Sequence, residues 1–221
     1  HPLYSARSSR LIFDKIQSAR KPVVFGANNL FFDDLILRIS SAIFVVDLTH
    51  DIFYTAQVSQ RDLDIALRPQ ARVFISNQAI KRTLDFYDAH FVDENEKTKI
   101  KLIYNYVEMP AKSHKKNWQA VFKVLYVGRD TREKRVDRIF SLAEAAEKQN
   151  LPFVFEFAGE IKHRDLPANC KLHGKILDQD KLNELYDSAH FVIISSESEG
   201  FPLSLMEGMA HGCIPLATAV G

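Results

Sequence analysis

Short apolar runs alternate with amphipathic stretches along nearly the whole chain, and this alternation restricts the fold more than any other feature. Val23-Val24-Phe25, Ile43-Phe44-Val45-Val46, Val73-Phe74-Ile75 and Lys101-Leu102-Ile103-Tyr104 read as strands, followed by Lys123-Val124-Leu125-Tyr126-Val127, Phe153 to Phe157, a short Lys171-Leu172-His173-Gly174, and Phe191-Val192-Ile193-Ile194. Helices are predicted over 5–19, over Phe32 to Ile39, from a Ser76 cap to about Tyr87, over Val136 to Lys148 and over Asp180 to Ser188. Near-continuous apolar strands separated by helices call for a mainly parallel sheet covered on both faces, the α/β class. The series restarts once. Residues 106–118 hold Pro110, Ser113 and three lysines without an apolar period, so the expected division is a first domain at 1–110, a linker at 111–120 and a second domain at 121–221.

Composition removes several function classes. The chain has 221 residues and a net charge of +1, which gives bulk electrostatics no case for a nucleic-acid partner. Its two cysteines, Cys170 and Cys213, stand among apolar or small neighbours and form no metal-ligand pattern; a reduced, cytosolic state is the simplest expectation. No apolar run reaches the ~18–20 residues of a membrane span. The expected location is cytoplasmic, with peripheral contact at the inner face of a membrane left open.

The most informative stretch lies near the end: Ser196-Glu197-Ser198-Glu199-Gly200-Phe201-Pro202-Leu203-Ser204-Leu205-Met206-Glu207. A buried strand runs into it, and a helix from about Ser204 to His211 runs out. Gly200 lets the backbone come close to a ligand. Pro202 suits the entry to a helix, where its missing N–H costs nothing, and the free N–H groups of a helix start attract anions. Ionised carboxylates accept hydrogen bonds from paired hydroxyls, so Glu199 and Glu207 beside an anion site point to a ligand carrying both an anion and hydroxyls. A blander reading stands beside this one: Ser204-x-x-Glu207 also fits a capping box, and Glu199 fits a solvated loop acid.

Strand, glutamate, glycine, Phe-Pro-Leu, glutamate, then Ala210-His211-Gly212-Cys213-Ile214-Pro215-Leu216-Ala217-Thr218 form a long ordered pattern. It resembles the paired-glutamate signature of family 4 glycosyltransferases, retaining enzymes of the GT-B fold. The resemblance implies two Rossmann-like domains facing across a cleft, both incomplete here, and ligands beyond the carboxyl ends of the strands. It implies a nucleoside-diphosphate sugar as donor and a glycan, lipid-linked or small-molecule acceptor. Glu207 would hold the ribose hydroxyls, Glu199 the donor sugar, and Gly200, Phe201, Pro202 and Leu203 the diphosphate or sugar. Gly128-Arg129-Asp130-Thr131-Arg132-Glu133-Lys134 matches the family's Gly-Arg…Lys element, so Arg129 and Lys134 would neutralise the leaving diphosphate. The family usually has glycine after that lysine, where this chain has Arg135. His50, after a buried strand, would orient the donor sugar, while Lys175 and Ile176 fall on the loop that lies against the nucleobase. As a set of residues alone, the 128–135 stretch reads first as a charged loop with a helix start, and His50 equally as a packed strand-end histidine.

The chain has no G-x-x-x-x-G-K-[ST] loop and no G-x-G-x-x-G. Asp62-Leu63-Asp64 and Asp178-Gln179-Asp180 superficially resemble the metal-binding Asp-x-Asp of the other large glycosyltransferase fold, but both sit in or near helical segments. They read as surface acids, and with Arg129, Lys134 and a helix start at hand neither a metal nor another cofactor is expected. The rival readings are a related GT-B enzyme, such as a sugar-phosphate synthase or a phosphorylase, and a non-catalytic GT-B-like scaffold subunit. The abrupt first and last residues lead to the expectation that the chain is a piece of a longer enzyme.

Overall fold

The computed structural model describes residues 6–27, 30–49, 59–111, 115–118, 121–162 and 165–220. The chain divides into two compact units, His1–Tyr104 and Asn105–Gly221. Both are α/β with parallel sheets. No helix among the described residues is long and apolar enough to cross a membrane.

The first unit holds α1 (Ala6–Ser18), β1 (Val23–Ala27), α2 (Leu30–Arg38), β2 (Phe44–Thr49), α3 (Gln60–Leu67), β3 (Ala71–Phe74), α4 (Asn77–Ala89), α5 (Glu94–Thr98) and β4 (Ile100–Leu102). The strands pair in the order β1-β2-β3-β4, all parallel. Val24 and Val45 pack with Phe32, Ile36 and Ile39, so α2 covers β1 and β2. Ser76 caps α4 as its position predicts, accepting from the Ala79 N–H at 3.2 Å. Asp62 closes a capping box with Ser59 at the start of α3. Those hydrogen bonds from Ser59 hold the Asp62 carboxyl below its usual range. The first Asp-x-Asp therefore serves as a helix cap.

A charged pair is buried within this sheet. Asp47 on β2 and Arg72 on β3 are direct cross-strand partners. Arg72 Nη2 lies 3.3 Å from Asp47 Oδ2, with side-chain exposures of 3% and 4%. Thr49 Oγ1 donates to the same oxygen at 2.7 Å, and Arg72 also donates to the Ile65 carbonyl at 3.2 Å. Asp47 Oδ1 has no partner among the described residues.

The second unit holds β5 (Phe122–Val127), a 3-10 turn (Arg132–Lys134), α6 (Val136–Lys148), β6 (Phe153–Ala158), β7 (Cys170–Gly174), α7 (Gln179–Ser188), β8 (Phe191–Ile194), α8 (Leu203–Ala210) and β9 (Ile214–Ala217). Its parallel strands run β7-β6-β5-β8-β9, so the order reverses between β5 and β8. On one face Val124, Tyr126, Phe155 and Phe157 pack against Ile139, Phe140 and Ala143 of α6, with Phe140 stacked on Phe157 at 4.5 Å. On the other, Leu125 and Val192 pack against Tyr186 of α7. Gly208 lets α8 settle onto β8, since a Cβ there would stand 2.7 Å from the Val192 side chain. Asp178 caps α7 by accepting from the N–H groups of Asp180 and Lys181, so the second Asp-x-Asp also acts as a cap.

The stretch read as a linker is partly built into this unit. Lys116 Nζ donates to the Tyr186 and Asp187 carbonyls at 2.7 and 2.8 Å, where it neutralises the negative end of α7. His190 Nε2 lies 2.7 Å from the Asn117 carbonyl, and Trp118 packs edge-on against the His190 ring.

Removing one member of the buried Asp47–Arg72 pair strands the other in a water-poor site. Arg72→Met is expected to lower stability by about 3–5 kcal/mol, and Asp47→Asn added to it should restore part of the loss. Urea unfolding followed by circular dichroism measures both; a single-variant loss below about 1 kcal/mol would match a surface pair instead.

Candidate active site

The β5–β8 pairing places the loop after each strand side by side at the carboxyl end of the sheet. From β5 the chain passes through Gly128 and the 3-10 turn to Arg135, whose φ of 47° and ψ of 46° are left-handed, and then into α6. From β8 it passes through Ser195 and Ser196 to Glu199 and on to α8. The two loops are joined by hydrogen bonds. The Glu197 N–H donates to the Glu133 carbonyl at 2.8 Å. Ser195 Oγ lies 2.9 Å from the Lys134 carbonyl and 2.7 Å from that of Arg135, its single proton shared between them. Arg135 Nη1 pairs with Glu197 Oε1, while its Nε and Nη2 hold Asp137 in the first turn of α6.

Across this junction Lys134 Nζ meets Glu199 Oε1 at 2.8 Å, with side-chain exposures of 26% and 8%. Ser196 Oγ donates to the same Glu199 oxygen. Two residues read separately from the sequence are thus ion-paired, and Glu199 is mostly buried rather than a solvated loop acid.

Glu207 sits further along α8. Its Oε2 accepts from Tyr186 Oη at 2.8 Å. Tyr186 is fully buried, and burial first, then the Glu207 charge, push its phenol above the ordinary range, so it stays a donor. Oε1 has no partner among the described residues. The capping-box reading of Glu207 does not hold: α8 starts at Leu203 behind a Pro202 N-cap with no side-chain capping bond. The N–H groups of Leu203 and Ser204 therefore have no acceptor among the described residues, which keeps them available to an anion.

On the other side of Gly128, a cavity of about 210 Å³ opens at the ends of β5, β6 and β7. Val127, Ala158, Ile176 and Leu182 give it apolar walls, and Gly128, Arg129, Gly159, Glu160 and Lys175 complete it. Four residues expected to touch the donor, Gly128, Arg129, Lys175 and Ile176, meet here. Arg129 is exposed, and its carbonyl is held by Tyr126 Oη at 2.7 Å. Lys175 Nζ pairs with Glu160 Oε1 at 3.1 Å. Lys134, Glu199 and Glu207 do not line this cavity. His50 lies outside the described residues. Sequence reasoning missed Glu160, Tyr186, Ser195 and Glu197, although Ala158-Gly159-Glu160 directly after an apolar strand was a usable signal for Glu160.

Gly159 has φ 137°, and a Cβ there would stand 1.8 Å from the Gly128 carbonyl oxygen. Gly159→Ala is expected to cost about 2 kcal/mol or more and to displace the Gly128 turn. A thermal melt reads the first effect. A variant melting with the parent protein would show that this backbone contact can relax freely.

The family model of glycosyl transferases group 1 matches residues 109–221. The chain is 31% identical to the glycogen synthase of Aquifex aeolicus (strain VF5) over 103 residues, which are 44% of this chain and 22% of that protein. Among solved structures, TarM superposes with a TM-score of 0.74 at 17% identity, covering 96% of this chain and 44% of TarM. The pneumococcal O-GlcNAc transferase GtfA, in complex with UDP and GlcNAc, superposes with a TM-score of 0.68 at 16% identity, covering 96% of this chain and 44% of GtfA. The chain spans less than half the length of each of these three proteins. The likeness to the solved structures establishes the fold, that of the GT-B glycosyltransferases. With more than half of its residues matched by the family model, the chain belongs to the glycosyl transferases group 1 family.

Proposed function

We propose that the second unit binds a nucleoside-diphosphate sugar, and that the protein transfers the sugar to a glycan, lipid-linked or small-molecule acceptor with retention of anomeric configuration, as in family 4. The observation that carries this reading is the Lys134–Glu199 pair at the strand-order reversal, the place where open parallel sheets bind ligands. UDP is the first nucleotide to test, since GtfA was solved with it.

Each group has a role in that scheme. The donor diphosphate competes with Glu199 for Lys134 Nζ and also takes the Leu203 and Ser204 N–H groups. Glu199, released from the lysine, accepts from a hydroxyl of the donor sugar. Glu207 Oε1, its partner oxygen anchored by Tyr186, accepts from the ribose. The base lies in the cavity walled by Val127, Ile176 and Leu182, with Arg129 at its edge reaching for phosphate. As the glycosidic bond breaks, negative charge grows on the departing phosphate, and Lys134 and Arg129 stabilise it without a divalent metal. The departing phosphate oxygen takes the acceptor's proton.

Two variants test the reading. Glu207→Gln keeps the shape but weakens the charge-assisted bond, so affinity for UDP should fall by an amount on the order of 1–3 kcal/mol in a calorimetric titration. Lys134→Ala should lower kcat by more than about tenfold with a smaller effect on ground-state donor binding. Wild-type turnover is expected to survive EDTA. Unchanged UDP affinity in the glutamine variant would remove Glu207 from the donor site, and full activity of the alanine variant would remove Lys134.

A further inference from the structure

Arg135 combines two features. Its backbone is left-handed, a conformation that glycine adopts freely and other residues only where their surroundings impose it. Its guanidinium joins two separate segments, gripping Asp137 on α6 with two nitrogens and Glu197 on the loop after β8 with the third. The surroundings that impose the turn are the same ones that join the loops. Ser195 Oγ bonds the Lys134 and Arg135 carbonyls, and the Glu197 N–H bonds the Glu133 carbonyl. Lys134 is bracketed by these contacts on one strand of chain, and Glu199 lies two residues beyond Glu197 on the other.

We propose that Arg135 and Glu197 are positioning residues for the phosphate site: their ion pair clamps the loop after β8 onto the left-handed turn and fixes where Lys134 and Glu199 stand. The inference rests on the function proposed above. The clamp does not touch the reacting groups, because the guanidinium is committed to Glu197 and Asp137. It acts through geometry, at the moment when the donor separates Lys134 from Glu199 and their mutual attraction no longer adds to the hydrogen bonds that join the loops. Glycine at 135 would supply the backbone angles without the clamp. Lysine carries a point charge that cannot span both carboxylates as the planar fork does.

The test uses the full-length protein with Glu197→Gln, Arg135→Gly and Arg135→Lys. UDP release from UDP-glucose or UDP-N-acetylglucosamine, whichever the wild type turns over, gives kcat and KM. Amide hydrogen exchange at residue 197 reports on the clamp without requiring activity. The expected result is a fall in kcat of about fivefold or more for Glu197→Gln and Arg135→Gly, with KM within about twofold. Arg135→Lys should lie between these and the wild type, and the Arg135→Gly/Glu197→Gln double variant should be no worse than either single one. The residue 197 amide should exchange about tenfold faster or more in the Glu197→Gln variant. Wild-type kcat in Arg135→Gly would overturn the proposal by showing that the backbone angles suffice, and so would an unchanged exchange rate at residue 197. A wild-type protein that turns over neither donor contradicts the choice of a UDP-sugar instead, and the exchange rate alone then decides for or against the clamp.

Discussion

The pairing of β5 with β8 is the constraint on which the geometry of the candidate site depends. Val124 lies opposite Phe191, and Leu125 opposite Val192, so two strands far apart in sequence end at the same edge of the sheet. Parallel strands need crossovers, and successive crossovers that leave β5 in opposite directions open a crevice at the carboxyl ends where they diverge. The Gly128–Arg135 loop and the Ser195–Pro202 loop enter that crevice from its two sides. Their hydrogen bonds, Glu197 N–H to Glu133 and Ser195 Oγ to Lys134 and Arg135, turn a topological coincidence into a defined geometry. A slip in the β5–β8 register would separate Lys134 from Glu199 and leave both loops intact but useless to each other.

In the proposed function the ion pair also solves a problem that any phosphate site faces before its ligand arrives. A cation placed for phosphate needs a counter-charge while the site holds none, and a mostly buried carboxylate needs a donor. Lys134 and Glu199 pair with each other, and Ser196 Oγ donates to the same carboxylate oxygen. Both groups are then exchangeable: a diphosphate offers the lysine more charge than a carboxylate does, and sugar hydroxyls offer the glutamate new donors. Glu207 is arranged differently. Tyr186 Oη donates to one of its oxygens, and burial pushes that phenol above its ordinary range, so in the proposed function the other oxygen meets the ribose with little freedom to lose.

Much of the fold was legible because strands buried on both faces leave an uninterrupted apolar record. Val124 to Val127 and Phe191 to Ile194 could be placed to within a residue. Helix α5 was not legible. Glu94-Asn95-Glu96-Lys97-Thr98 has no apolar period; it forms through an Asp93 cap and the Lys97–Glu94 and Lys99–Glu96 pairs. Nor was the anchoring of residues 116–118, since Lys116 reaches the end of α7 through contacts that leave no periodic trace. The site divides the same way. Glu199, Lys134 and Glu207 stood out because their order along the chain follows a recognisable pattern. Tyr186, Ser195 and Glu197 did not, because each matters through one hydrogen bond to a residue distant in sequence. Ser204-x-x-Glu207 shows the opposite failure: the local pattern fitted a cap, but the helix began a residue earlier behind Pro202 and Glu207 turned to Tyr186.

The proposed function requires that a nucleoside diphosphate take Lys134 from Glu199 at the β5–β8 edge. A crystal structure of the full-length protein with UDP, or with GDP or ADP if UDP does not bind, tests it most directly. The expected result is the diphosphate against Lys134 Nζ and the α8 N-terminus, the ribose on Glu207, and Glu199 turned away from the lysine. A nucleotide bound elsewhere, or one bound with the Lys134–Glu199 pair still closed and no phosphate contact to the lysine, would contradict it.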